Sequence, residues 1–227
     1  MPEKIKGFGT LTPLQKVFME ILASLPDKEQ FYLAGGTALS EYYLGHRLSF
    51  DLDYFTGIEN LVIPLSYQIE TACREKGLAC KVVRRFATFV QLIVENGEES
   101  LKIDLALDSP YRFEPSVLSP EGIFINNYAD LRTDKMLAYF GRAEPRDAID
   151  LYFILQKESA EVLLEQAVQK DPGFDPYWFA IALNRVENFP DDLERWPIKM
   201  LKSLNVLDLK KTFKEWAVRL MDKATKK

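Results

Sequence analysis

The hydrophobic pattern of the chain changes its period at about residue 127, and this change restricts the fold more than any other feature. Before it, short apolar runs that are typical of strands alternate with helical segments; beyond it, the pattern is wholly helical. An all-helical fold and an all-strand fold are therefore both excluded. We expect an α+β protein in which residues 1–127 form an α/β core and residues 128–227 form a helical domain.

The first part contains several predicted elements in succession. Thr12 and Pro13 mark the start of an amphipathic helix. An apolar run over 31–34 leads to the pair Gly35-Gly36, and a helix then follows over 37–44. The remaining predictions are a helix over 63–76 and strands over 49–55, 80–84, 88–95 and 100–107. The dipeptide Asn96-Gly97 indicates a hairpin between the last two strands.

Composition excludes several classes of protein. No apolar run approaches the about 18 residues that a membrane helix needs, and residues 1–7 lack the apolar core of a signal peptide. We therefore expect a cytoplasmic protein with no membrane partner. His46 is the single histidine, and two cysteines cannot supply a four-ligand zinc site. Any metal ion must then be held mainly by carboxylates.

Three aspartates are the candidates for such a site. Asp51 and Asp53 are two residues apart on a predicted strand, so both carboxylates should share one face while Phe50 and Leu52 face the core. Asp104 lies on the strand over 100–107, with the apolar residues at 101, 103 and 105 on the opposite face. Three carboxylates converge if the two strands are neighbours. Such a cluster needs a cation, a shared proton or full solvation. Carboxylate oxygens are ligands that suit Mg²⁺ or Mn²⁺. The alternative interpretation of the Asp51–Asp53 pair is a solvated edge strand without a metal ion.

The turn at Gly35-Gly36-Thr37 is a second candidate feature. Glycines allow the backbone to approach a ligand closely, and the helix that follows presents free N–H groups to an anion. A phosphate cradle of this kind would complement a metal site. The alternative is an ordinary tight turn.

Together and in order, these residues resemble the AbiEii/AbiGii-type nucleotidyltransferases, which are toxins of toxin–antitoxin and phage-defence systems and belong to the DNA polymerase β-like superfamily. The resemblance spans roughly residues 30–155 and is carried by segments 34–39, 43–55, 102–105, 132–142 and 146–152. It implies a polymerase β-like core with a mixed sheet, completed at its active-site cleft by the helical domain. It also implies transfer of a nucleoside monophosphate from an NTP to an acceptor hydroxyl. A tRNA or another RNA would be the acceptor, and an antitoxin protein would be a partner.

The resemblance further implies the roles of individual residues. Two metal ions would be bridged by Asp51 and Asp53, while Asp104 would hold the catalytic ion and could accept the proton of the attacking hydroxyl. Gly35, Gly36 and Thr37 would hold the nucleotide phosphates. The carboxylates and Lys135 are thus the predicted catalytic residues. Arg47 would either touch a phosphate or offset the charge of the carboxylates.

The helical part supplies the basic residues of the predicted site. Lys135 and Arg142 are seven positions apart, so two helical turns place them on one face, from which both could reach phosphates. Arg146, Asp147 and Asp150 match family positions, and we interpret the two acids as orienting the basic residues. The alternative is a solvated helix face, with an Arg146–Asp150 ion pair worth only about 0.3–0.5 kcal/mol.

Two functional alternatives stay open at this point: a nucleotidylyltransferase that acts on a protein or a small molecule, and a non-catalytic nucleotide-binding protein. The net charge of −5 is unevenly distributed. From Lys199 onward, nine basic residues against three acidic ones give +6, so the residues before it carry −11. This C-terminal region either docks an RNA backbone or forms a solvated helix with a disordered lysine tail.

Overall fold

The structure, a computed structural model, describes residues 5–225. The chain divides into two compact units, Met1–Tyr128 and Ala129–Lys227. Residues 1–4, and Lys226 and Lys227 of the tail predicted to be disordered, lie outside the described residues. Within residues 5–225, no helix is both long and apolar enough to cross a membrane.

The first unit is built on one mixed sheet of seven strands. Its strands are β1 Tyr32–Ala34, β2 Leu52–Thr56, β3 Ala79–Phe86, β4 Phe89–Glu95, β5 Ser100–Leu107, β6 Val117–Leu118 and β7 Phe124–Ile125. Their order in the sheet is β3-β4-β5-β2-β1-β7-β6. β2 pairs in parallel with β5, and β1 with β7, while the other neighbours are antiparallel. The predicted α+β class is therefore confirmed.

The helices of this unit follow the predicted positions closely. They are α1 Pro13–Ser24, α2 Gly35–Leu39 and α3 Val62–Glu75. Thr12 caps α1 through a capping box with Gln15, which confirms the predicted start. The helix predicted over 37–44 is divided, because a π-helical segment, Ser40–Leu44, continues α2 until Gly45 ends it with φ of +57°.

One face of the sheet forms the core of the unit. Leu92 of β4 and Ile103 and Leu105 of β5 are fully buried, as are Leu65 and Ile69 on α3. Alternation along β5 therefore directs Leu101, Ile103 and Leu105 inward, as predicted, and leaves the intervening positions for the opposite face. The predicted hairpin at Asn96-Gly97 joins β4 to β5.

The second unit is helical in the described residues. Its helices are α4 Tyr128–Arg142, α5 Pro145–Leu155, α6 Ala160–Lys170, α7 Pro176–Leu183 and α8 Val206–Thr225, with 3₁₀ turns at Asn184–Asn188 and Leu193–Arg195. An aromatic cluster fills its core: the ring of Phe179 lies 5.1 Å from Trp216 and 5.4 Å from Phe174. Trp216 is 2% exposed and is thus part of this core.

Glu41 fixes the N-terminal loop to the π-helical segment. Its side chain is almost fully buried, and its carboxylate accepts hydrogen bonds from the main-chain N–H of Gly9 (3.0 Å) and Thr10 (2.5 Å) and from Thr10 Oγ1 (2.7 Å). A buried carboxylate with three donors is well satisfied. These hydrogen bonds therefore connect the π-helical segment Ser40–Leu44 to the N-terminal loop.

We predict that Glu41→Gln lowers the free energy of unfolding by about 1–3 kcal/mol, because an NH₂ group replaces an oxygen that accepts a hydrogen bond and leaves a buried donor unsatisfied. Urea denaturation followed by circular dichroism measures this change. Glu20→Gln is the control, since Glu20 is an exposed residue on α1. Equal stability of the two variants would contradict the prediction.

Candidate active site

The glycine turn lies against the carboxylate of Asp53. β1 ends at Ala34, the register partner of Asp53 on β2, and Gly35 then turns the chain into α2 with φ of +67°. A Cβ atom at Gly35 would lie 2.0 Å from Asp53 Oδ2. Because other residues disfavour this φ and no side chain fits in this space, the position requires glycine. The predicted turn is thus fixed beside a predicted catalytic aspartate.

Asp53 and Asp104 lie side by side on the sheet. They are register partners on the parallel strands β2 and β5, and such partners share a face at a strand separation of about 4.8 Å. The two aspartate-bearing strands are therefore neighbours, which is the condition stated for convergence of the carboxylates. On the other side of Asp104, its register partner Gln91 of β4 donates a hydrogen bond of 2.9 Å from Nε2 to Asp104 Oδ1.

The ammonium group of Lys102 joins the third aspartate to this pair. Lys102 Nζ lies 2.8 Å from Asp51 Oδ2 and 3.3 Å from Asp104 Oδ2, and all three side chains are partly exposed. Partial burial lowers the pKa of Lys102, but the hydrogen bond and negative charge of Asp51, together with Asp104, outweigh it and raise the pKa overall. Lys102 is therefore protonated and offsets part of the negative charge.

Asp51 lies immediately before β2. Since the strand begins at Leu52, the alternation that predicted an inward Phe50 does not extend to that residue; Phe50 is 54% exposed, and that prediction is wrong. Leu52 is fully buried, as predicted. Asp51 is positioned through its backbone, because Thr37 Oγ1 donates a hydrogen bond of 2.5 Å to the main-chain oxygen of Asp51.

The three carboxylates do not form a ready-made metal cluster. In the part of the chain that the structure describes, no group of three or more His, Cys, Asp or Glu side chains is arranged to hold a metal ion. Strand register makes Asp53 and Asp104 neighbours. Asp51 approaches Asp104 by way of the Lys102 ammonium, a cation that the sequence prediction did not include.

Gly36, Thr37 and Arg47 form the base of the turn. A Cβ at Gly36 would lie 2.6 Å from Arg47 Nη2 and 2.7 Å from Ser49 Oγ. Arg47 is only 4% exposed and donates to the main-chain oxygen of Leu48 at 3.0 Å. Its guanidinium group packs beneath Gly36, and the predicted contact with a phosphate stays a prediction. The hydroxyl of Thr37 is likewise already donated to Asp51.

In the second unit, two predicted basic residues are paired with buried acids. Lys135 Nζ lies 2.8 Å from Asp150 Oδ2, and the side chains are 7% and 0% exposed. Arg142 donates from Nε and Nη2 to the two carboxylate oxygens of Asp147 at 2.6 and 2.8 Å. Because a buried carboxylate needs its counter-charge, each acid fixes the position of its basic partner.

Arg146 has a different partner from the one predicted as the alternative. Its Nε lies 2.8 Å from Glu144 Oε2, and both side chains are well exposed. Asp150, in contrast, is fully buried and faces Lys135. The predicted Arg146–Asp150 ion pair is therefore wrong, because Arg146 lies on the exposed face of α5 and Asp150 on its buried face.

The sequence analysis did not identify three residues that contact aspartates, namely Gln91, Lys102 and Lys170. Gln91 and Lys102 share the sheet face of Asp104, and the register of the Asn96-Gly97 hairpin was the signal that pairs β4 with β5. Lys170, almost fully buried, bridges Asp130 and Asp134 at 2.6 and 2.5 Å. No sequence spacing indicated this last pairing.

Comparison with known proteins identifies the family. The sequence profile of a family described as nucleotidyl transferase AbiEii toxin, type IV toxin–antitoxin system, matches residues 17–219, a longer stretch than the motifs alone indicated. An uncharacterized protein of Aquifex aeolicus is 32% identical over 164 residues, which cover 69% of this chain and 73% of that protein.

Several solved structures share the fold. MenT4, a nucleotidyltransferase toxin of Mycobacterium tuberculosis H37Rv, has a TM-score of 0.62 at 18% identity, covering 92% of this chain and 83% of MenT4. JHP933 of Helicobacter pylori has a TM-score of 0.58 at 18% identity, covering 94% and 91% of the two chains. With the profile match over most of its length, the chain belongs to the AbiEii family of nucleotidyltransferase toxins.

Proposed function

We propose that this nucleotidyltransferase is metal-dependent and transfers a nucleoside monophosphate from an NTP to the hydroxyl of an RNA acceptor, with the acceptor end of tRNA as the first candidate. The observation that carries the proposal is the side-by-side position of Asp53 and Asp104 beside the Gly35 turn. Paired carboxylates can bind the divalent cations of a nucleoside triphosphate, and the neighbouring backbone turn can approach its phosphates. Family membership implies an antitoxin partner and an NTP substrate, and we place the activity in the cytoplasm.

The donor set fits a divalent ion. All three ligands would be carboxylates, the hard oxygen donors that Mg²⁺ and Mn²⁺ prefer, and the Lys102 ammonium already lies against two of them as a cation. Asp51, Asp53 and Asp104 would hold the metal, with two ions as the family resemblance implies. When bound, such ions neutralise the charge that develops on the attacking and leaving oxygens.

The residues of the first unit would then perform the transfer. The acceptor hydroxyl oxygen bonds to the α-phosphorus, the bond from that phosphorus to the pyrophosphate oxygen breaks, and pyrophosphate leaves. Asp104 accepts the hydroxyl proton. The main-chain N–H groups of Gly36 and Thr37, at the start of α2, hold the terminal phosphates.

We also propose that Lys135 and Arg142 contribute positive charge to nucleotide binding. Asp150 and Asp147 hold these two side chains in fixed positions, which reduces the conformational entropy that ordering them would cost. Within residues 5–225, Arg146 pairs with the exposed Glu144, and we therefore assign it a role only in surface charge.

We predict that Asp53→Asn and Asp104→Asn each reduce label transfer from an α-³²P-NTP to total RNA by at least about 10²-fold, because each loses a proposed metal ligand or base. Each of the four nucleotides is tested with Mg²⁺. Glu98→Gln, in the exposed β4–β5 turn, is the control. Label that enters a protein band rather than RNA would assign a protein acceptor, and unchanged transfer in both variants would overturn the proposed roles.

Chelation is expected to abolish the transfer. Excess EDTA removes divalent ions from the carboxylates, and added Mg²⁺ or Mn²⁺ should restore the activity, because the described residues offer only oxygen donors at this site. Initial rates before and after metal addition measure the effect. A rate that is insensitive to the chelator would contradict metal dependence.

We predict that Lys135→Met raises the KM for NTP by roughly 10- to 100-fold, which corresponds to the loss of a charge-assisted contact. The same change leaves Asp150 buried without its partner and lowers stability. Lys170→Met is the matched control, since it also removes a buried lysine from its aspartates. If both variants raise KM equally at equal loss of stability, Lys135 has only a structural role.

A further inference from the structure

Lys102 occupies the position between two of the proposed metal ligands. Its ammonium group contacts Asp51 Oδ2 and Asp104 Oδ2, and these acids come from different elements, one before β2 and the other within β5. Without a cation, the two carboxylates would repel each other. The ammonium therefore supplies the counter-charge that allows these two carboxylates to lie near each other.

The side chain of Lys102 is suited to leaving this position. It lies two residues before Asp104 on β5 and on the same sheet face, so it reaches the carboxylates along the surface of the sheet. Its side chain is 34% exposed, and its four-carbon stem is flexible. Rotation about side-chain bonds is then enough to move the ammonium into solvent while the backbone of β5 stays in place.

Gln91 holds Asp104 through its other oxygen. The hydrogen bond of 2.9 Å from Gln91 Nε2 to Asp104 Oδ1 uses a different carboxylate oxygen from the one that faces Lys102. Departure of the ammonium therefore leaves Asp104 oriented and exposes Oδ2, together with Asp51 Oδ2, to an incoming cation.

We propose that Lys102 is an internal counter-cation that exchanges with the divalent metal: it neutralises Asp51 and Asp104 in the metal-free protein and gives up both contacts when the ion binds. This inference rests on the proposed metal-dependent function. It assigns Lys102 as a positioning residue that weakens intrinsic metal affinity while it stabilises the metal-free site.

The experiment compares Mn²⁺ binding by the full chain, measured from the electron paramagnetic resonance signal of free Mn²⁺ in the absence of NTP. Lys102→Met should bind Mn²⁺ roughly three- to tenfold more tightly than wild type, because the ion no longer displaces a partly exposed ion pair. Lys102→Gln, which is also neutral, should show the same gain.

Lys81→Met is the matched control. Lys81 is an exposed lysine on the same sheet face as Lys102, since both are register partners of Ile93. The Lys81→Met variant loses the same charge as Lys102→Met but keeps the contacts between Lys102 and the aspartates. Its affinity for Mn²⁺ should therefore stay close to that of wild type. A gain of equal size in Lys81→Met would reduce the effect to net charge and overturn the exchange.

Thermal unfolding gives a second readout that does not depend on activity. In metal-free buffer, Lys102→Met should have a lower Tm than Lys81→Met, because Asp51 and Asp104 lose their counter-cation. Added Mn²⁺ should raise the Tm of Lys102→Met more than that of wild type, since tighter binding stabilises the folded state further. Equal Tm values and equal Mn²⁺ shifts would contradict the proposal.

Asp104→Asn separates failure of this inference from failure of the proposed function. Suppose that wild type binds Mn²⁺, that Asp104→Asn abolishes this binding, and that neither Lys102 variant changes the Mn²⁺ affinity. In that case the exchange is wrong, but the metal site is supported. If Asp104→Asn binds Mn²⁺ as wild type does, or wild type binds none, the metal assignment fails and the exchange fails with it.

Discussion

The parallel pairing of β2 with β5 is the contact on which the candidate site depends. It places Asp53 beside Asp104 on one face, while Leu52 and Ile103, the preceding pair in the same register, are buried on the other. A shift of this register by one residue would turn every side chain of β2 to the opposite face. The hydrophobic core of the first unit and its carboxylate pair are thus fixed by the same hydrogen-bonded ladder.

Carboxylates in both units are paired with cations. Asp51 and Asp104 share Lys102 in a partly exposed setting, whereas Asp150 and Asp147 are fully buried against Lys135 and Arg142. The difference in burial has a physical consequence. An exposed pair is worth little and can exchange partners, while breaking a buried pair leaves an uncompensated charge and is strongly destabilising.

The sequence predicted the parts of the site that depend on period and spacing. Alternation along β5 identified Asp104 as pointing away from Ile103 and Leu105, and the Gly-Gly pair correctly indicated a turn. Alternation failed at Phe50, because β2 begins two residues later and a strand boundary has no strong signal. Lys102 was overlooked because its role depends on Asp51, a residue that is distant in sequence and reaches it only through the pairing of β2 with β5.

Contacts between residues that are distant in sequence also change the interpretation of the charged C-terminal region, which has nine basic residues from Lys199 onward. In the second unit, lysines of α8 lie near acids that precede this region: Lys210 contacts Asp191 at 2.6 Å, and Lys214 lies 3.4 Å from Glu187. Part of the +6 counted along the sequence is therefore offset by acids elsewhere in the fold.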